Sequence, residues 1–215
     1  MMTRLAARLA PASRLCLLLA LAMLTATLFP GALGLLAWDR QAVHEGQLWR
    51  LLTAHVAHLG LSHLLLNLLG LALMRALFWQ SMRWQLLPGL LLASALGVSF
   101  GLFWLTPGLN AYVGLSGVLH GAWAGSALWL LLSAKADAGS VDRLCWALAL
   151  LLVAGKLLAE SLQAASPVAS AIGGTVVHES HALGALAGLA WVGCLCAARL
   201  LPGPLRMMTA APRFD

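Results

Sequence analysis

The run Gly114-Leu115-Ser116-Gly117-Val118-Leu119-His120-Gly121 sets a hydroxyl between glycines at the head of an apolar, small-residue stretch. Gly117, Gly121 and Gly125 recur every fourth residue, so on a helix they share one face. Few charges surround the stretch, and it reads as a membrane helix whose glycine face packs closely against a partner helix. Two readings of Ser116 stand open here: a nucleophile, or a serine lining a glycine-rich interface.

The chain around it decides the fold class. Hydrophobic residues make up 61% of the 215 residues and charged residues 9%, and the mean hydropathy is +0.90. Soluble domains carry roughly 25% charged residues, so this chain is expected to be an integral protein of the lipid bilayer. No hydrophilic stretch is long enough for an extramembrane domain, and residues 1–215 read as one all-α domain. Alternating ten-residue strands are absent, which argues against a barrel. The net charge of +6 comes from basic residues spread thinly between apolar runs, which orient a membrane protein rather than bind nucleic acid. Cys16, Cys145, Cys194 and Cys196 all lie in apolar runs without metal-ligand spacing and read as reduced packing residues.

Apolar runs long enough for a core of about 30 Å predict spans over 15–37, 62–79, 86–105, 116–134, 144–162 and 178–201. The first run, behind Arg4, Arg8 and Arg14, also fits a signal peptide. It is long for one, and further spans follow it, so a retained helix is favoured. Arg4, Arg8, Arg14, Arg75, Arg83, Lys135, Arg143, Arg199, Arg206 and Arg213 gather on one side, against Arg40 and Arg50 on the other. The positive-inside rule then makes both termini cytoplasmic and the number of spans even. Six fits. In that topology Ser116, His63, Asn67, His178 and His181 all fall in the outer half of their spans.

Shared depth makes chemistry possible. A serine needs a base to become a nucleophile, and histidine is the usual one near neutral pH. His181 is the leading candidate, because Gly184 and Gly188 follow it on one helix side and can face Gly117 and Gly121. His120, one turn below Ser116, is the competing base; its place on the same helix suits a partner stacked on the His181 ring. His178 reads as interfacial. No acid for a triad is found: Glu179 points to another helix face, and Asp39 and Glu45 lie in the first connection, so a Ser–His dyad is the simpler proposal. His63 and Asn67, four apart on one face, with the Ser116 backbone amide, are candidate oxyanion donors; the alternative is a purely structural hydrogen-bonding role. His58 and Trp49-Arg50 read as loop architecture. Neither a metal nor an organic cofactor is indicated.

Taken together, Trp49-Arg50, His58/His63/Asn67, Gly114-x-Ser116-Gly117 and His181-x-x-Gly184-x-x-x-Gly188 resemble the rhomboid family of intramembrane serine proteases. The resemblance implies a six-helix bundle with Ser116 as nucleophile, His181 as general base, and His63 and Asn67 as oxyanion donors. His120 stands where the best-known bacterial members commonly carry a tyrosine stacked on the catalytic histidine. The longer form ending Val118-Leu119-His120-Gly121 is similar to the rhombosortase branch. That branch is associated with removing C-terminal Gly-Gly sorting tails, each a Gly-Gly followed by a helix and basic residues, from exported proteins of Gram-negative bacteria. The implied setting is a bacterial inner membrane, with the site toward the periplasm and transmembrane proteins as substrates. Rival readings are an inactive rhomboid-like escort, which would be expected to lack Ser116 or His181, and a transporter, for which no inverted repeat is evident.

Overall fold

The computed structural model describes residues 10–133, 140–162 and 169–200. Arg4, Arg8, Lys135, Arg206 and Arg213 lie outside the described residues, as do the ends of the expected spans at 134 and 201 and the side chain of Arg199. Helix α1 (Pro11–Leu28) opens on proline, whose missing N–H costs nothing in the first turn. It ends at Phe29, because Pro30 cannot continue the ladder. Gly31 turns the chain at φ 81°, a region open to glycine, and a short helix α2 (Ala32–Leu36) follows. The span expected over 15–37 is therefore two helices, begun earlier and broken at Pro30-Gly31.

The first connection is compact and ordered. Strand β1 (Trp38–Asp39) pairs antiparallel with β2 (Ala111–Tyr112), Trp38 opposite Tyr112, so a two-residue ladder qualifies the all-α expectation. Asp39 caps α3 (Arg40–His44) by accepting the Ala42 N–H at 2.8 Å. Helix α4 (Arg50–Thr53) follows. Arg50 is buried and donates to the carbonyls of Gly34 and Ala37 at 2.8 and 2.7 Å and to Gln47 Oε1 at 2.8 Å. Arg40 donates to the carbonyls of Leu102, Phe103, Thr106 and Leu109 at 2.7 to 2.9 Å. It thereby closes the C-terminal end of α6 (Leu86–Leu105), where a cation is favoured. Each arginine satisfies backbone that would otherwise be stranded near lipid.

The bundle is completed by α5 (Leu61–Leu77), α7 (Ser116–Ser133), α8 (Ser140–Leu162), α9 (Ala169–Ile172) and α10 (His178–Leu200). Helices α1, α6, α8 and α10 contain stretches long and apolar enough to cross a membrane, while α5 is a shorter apolar helix of 17 residues. Leucines such as Leu18 and Leu28 on α1 and Leu144, Leu151 and Leu158 on α8 are exposed, as expected of helices that face lipid. Helix α7 is the hub. It meets α10 most extensively, and also α8, α6 and α5, and Gly117, Gly121, Ala122, Ala124, Gly125 and Ala127 are all buried. All four cysteines are free, as expected of reduced residues; Cys16 and Cys196 pack against the core, whereas Cys145 and Cys194 are exposed.

The α7–α10 contact is backbone on backbone. A β-carbon on Gly184 would overlap the Gly117 carbonyl, and one on Gly188 the Gly121 carbonyl. In return, Gly117 faces the Ser180 carbonyl and Gly121 the Gly184 carbonyl. On its other side α10 presses Ala187 and Leu183 against Gly97 and Gly101 of α6. Gly193, by contrast, faces open space. Gly184→Ala is expected to lower unfolding stability in detergent by ~3 kcal/mol, as overpacking does. Gly193→Ala should leave it within about 1 kcal/mol or raise it. Equal thermal midpoints for the two variants would show that the close approach is not needed.

Candidate active site

The first residue of α7 and the first turn of α10 meet at one end of the bundle. Ser116 Oγ lies 3.0 Å from His181 Nε2. On the far side of the ring, His181 Nδ1 lies 2.9 Å from Glu160 Oε2, near the C-terminal end of α8. A carboxylate only accepts, so Nδ1 carries the proton and Nε2 offers its lone pair to the serine O–H. The His181 ring is buried, and His120 stacks on it with centroids 4.1 Å apart and planes 16° from parallel. His120 Nδ1 donates to the Ser116 carbonyl at 2.8 Å, so its ring lies along α7 and is not aimed at the Ser116 hydroxyl.

Glu160 was missed from sequence. Its signal was a lysine and a glutamate four apart inside an apolar run, a pairing that membrane helices seldom carry without a reason. Glu160 Oε1 pairs with Lys156 and lies 3.7 Å from His178 Nδ1. Glu179 is exposed, Asp39 caps α3, and Glu45 bonds Gln41, so none of these three acids serves His181.

The candidate oxyanion donors line the cavity that also holds Ser116. Leu59 N–H donates to His63 Nδ1 at 3.4 Å, which leaves Nε2 of a neutral ring as the protonated nitrogen. A β-carbon on Gly114 would stand 2.7 Å from His63 Nε2. Gly114, at φ 118°, therefore combines a backbone shape and a clearance that only glycine provides. Asn67 donates one amide N–H to its own helix at the His63 carbonyl, 3.0 Å away, leaving a second N–H for a ligand. The Ser116 N–H opens α7 and has no helical acceptor.

The segment that presents Ser116 is braced from below. Gly114 N–H donates to the Ala54 carbonyl at 2.9 Å. The Tyr112 hydroxyl donates to the Gly114 carbonyl at 2.8 Å, and burial pushes this phenol up to about 12. Tyr112, the chain's single tyrosine, was passed over because one aromatic before a glycine carries no pattern. His55 Nε2 lies 3.1 Å from both the Ala95 carbonyl and Ser99 Oγ, and burial lowers its pKa to about 4. His58 packs edge-on against His63; burial, and then the neighbouring His63, lower it to about 4 as well. Both stay neutral near pH 7 and hydrogen-bond to backbone carbonyls, as do Trp49, bonded to the Leu35 carbonyl, and Arg50.

Among the described residues, His120, Glu160 and His181 bring potential metal-ligand atoms within 4.8 Å of one another. The two rings are stacked, so their in-plane lone pairs run side by side instead of converging on an ion about 2.0–2.1 Å from each. With His181 Nδ1 already facing a carboxylate, the arrangement suits proton handling better than metal ligation.

The cavity has a volume of about 1200 Å³. Leu66 and Asn67 of α5 line one side, Leu152 and Lys156 of α8 another, and Gly173-Gly174 the segment before α10. Leu66 and Leu152, which line the cavity from α5 and α8, are themselves exposed. No curated protein matches the chain. Residues 45–198, from the first connection through α10, match the family described as the rhomboid domain. Since that match spans most of its length, the chain belongs to the rhomboid family of intramembrane serine proteases.

Proposed function

We propose that this protein is an intramembrane serine endopeptidase in which Ser116 is the nucleophile and His181 the general base. The observation that carries the reading is the 3.0 Å approach of Ser116 Oγ to His181 Nε2 across the α7–α10 interface. His181 takes the hydroxyl proton as Oγ bonds to the scissile carbonyl carbon. The carbonyl oxygen gains charge, and His63 Nε2–H, the free Asn67 N–H and the Ser116 N–H are the groups available to receive it. The imidazolium then gives its proton to the departing amine, and water releases the acyl group by the same route. His120, stacked on His181, holds the ring's plane.

We further propose six spans with both termini cytoplasmic, in a bacterial inner membrane with the site near the periplasmic face. Substrates are membrane-anchored proteins, and C-terminal Gly-Gly tails followed by a helix and basic residues are the favoured class. The rhombosortase-like form of the Ser116 motif supports that choice. A tail would enter between α5 and α8, beside the Gly173-Gly174 segment, all of which contribute residues to the mostly apolar cavity. Glycines unwind easily and present an extended backbone to the serine.

In membranes with a Gly-Gly-tailed reporter, Ser116→Ala and His181→Ala are expected to reduce cleavage to background. Persistent cleavage by either would overturn the dyad, and loss in His120→Ala with retention in His181→Ala would move the base to His120. Wild-type protein should be labelled by a serine-directed fluorophosphonate; an escort protein would not be. His63→Ala and Asn67→Ala should each lower kcat by about 10²–10³-fold, the usual loss for one oxyanion donor. Changes confined to KM would assign these two residues to substrate binding instead.

A further inference from the structure

Glu160 is more than half of a surface ion pair. Its carboxylate is shared between two duties: Oε2 faces His181 Nδ1 at 2.9 Å, and Oε1 pairs with Lys156 on the same helix. The side chain is 13% exposed, against 49% for Lys156, so the carboxylate is largely covered against His181 while the lysine stays accessible at the cavity wall. An exposed i,i+4 pair supports a helix only weakly and does not require the glutamate to face a buried imidazole on α10. We propose that Glu160 is the third member of the catalytic arrangement, a positioning carboxylate that fixes the His181 tautomer and steadies the imidazolium formed when Ser116 is deprotonated.

This rests on the assignment of Ser116 and His181 as nucleophile and base. The order along the site is Ser116 Oγ, His181 Nε2, His181 Nδ1, Glu160 Oε2, the geometry of an acid–base–nucleophile relay in which the acid accepts a hydrogen bond and no proton moves to it. Lys156 holds the second carboxylate oxygen and so fixes the rotation of the group, while His178 stands 3.7 Å from that same oxygen. The groups facing the His181 ring are thus Glu160 and Lys156 from α8, His178 from α10 and His120 from α7. Glu160 is the one anion among them.

Reporter cleavage and fluorophosphonate labelling of the full-length protein in membranes or detergent test the role, with Glu160→Gln, Lys156→Met and Ser116→Ala compared. Glu160→Gln should lower kcat by roughly 10²-fold with little change in KM. That is less than the ~10⁴-fold loss for a fully buried triad acid, because Glu160 is partly hydrated and shared with Lys156. The acid limb of its kcat/KM profile should move to lower pH, since the imidazolium has lost its one anionic neighbour among the described residues. Lys156→Met, which breaks the ion pair but leaves the carboxylate on His181, should lose much less. Glu160→Gln within threefold of wild type, or no worse than Lys156→Met, overturns the proposal while leaving the dyad intact. Residual cleavage in Ser116→Ala would instead overturn the assignment on which it rests.

Discussion

The close backbone approach of α7 and α10 is the constraint on which the other features depend. In lipid there is no hydrophobic force drawing helices together, so van der Waals packing must do it. Gly117 and Gly121 against Gly184 and Gly188 bring two helix backbones within carbonyl contact, which no side chain larger than hydrogen permits. The interlock also sets the relative height and rotation of the helices. Ser116 precedes the first glycine of one, and His181 stands one turn before the first glycine of the other, so hydroxyl and imidazole come into register as a consequence of packing.

A second constraint is polar satisfaction at the same end of the bundle. Backbone carbonyls and imidazoles gather there in a setting where unpaired groups are costly. Arg40 and Arg50 meet it with seven donor contacts, six to backbone carbonyls and one, from Arg50, to Gln47 Oε1. The β1–β2 ladder and the Tyr112 hydroxyl add to this, and the result is a rigid platform under Gly114. From that platform the serine is presented into the cavity, while the opposite wall, formed in part by α8, is thinly packed and faces lipid. Close bracing beneath Ser116 and a thinly packed wall opposite it suit a site that admits a polypeptide from the bilayer.

Glu160 shows how an apolar helix can deliver a charge. Alone at that depth a carboxylate would be expensive. Lys156 on the same helix and the two α10 histidines share its charge, and α8 can carry it next to the site without stranding it.

Much of this was legible in the sequence. Membrane embedding follows from composition, since 9% charged residues cannot clothe a soluble surface. The helix interlock follows from four-residue glycine spacing, which is local and periodic. The candidates Ser116, His181, His63 and Asn67 could be named because polar residues in apolar helices stand out. Three features needed the tertiary structure. The break at Pro30-Gly31 splits a run that hydropathy alone treats as continuous. The β1–β2 ladder joins residues some seventy positions apart, as the Arg40 bond to Leu109 does at a separation of 69, and no local pattern announces a pairing of that range. The Glu160–His181 contact depends on how α8 is rotated and tilted against α10. Sequence periodicity sets which residues share a helix face, but packing decides which face meets which neighbour, so the placing of Glu160 beside His181 was decided only in the folded protein.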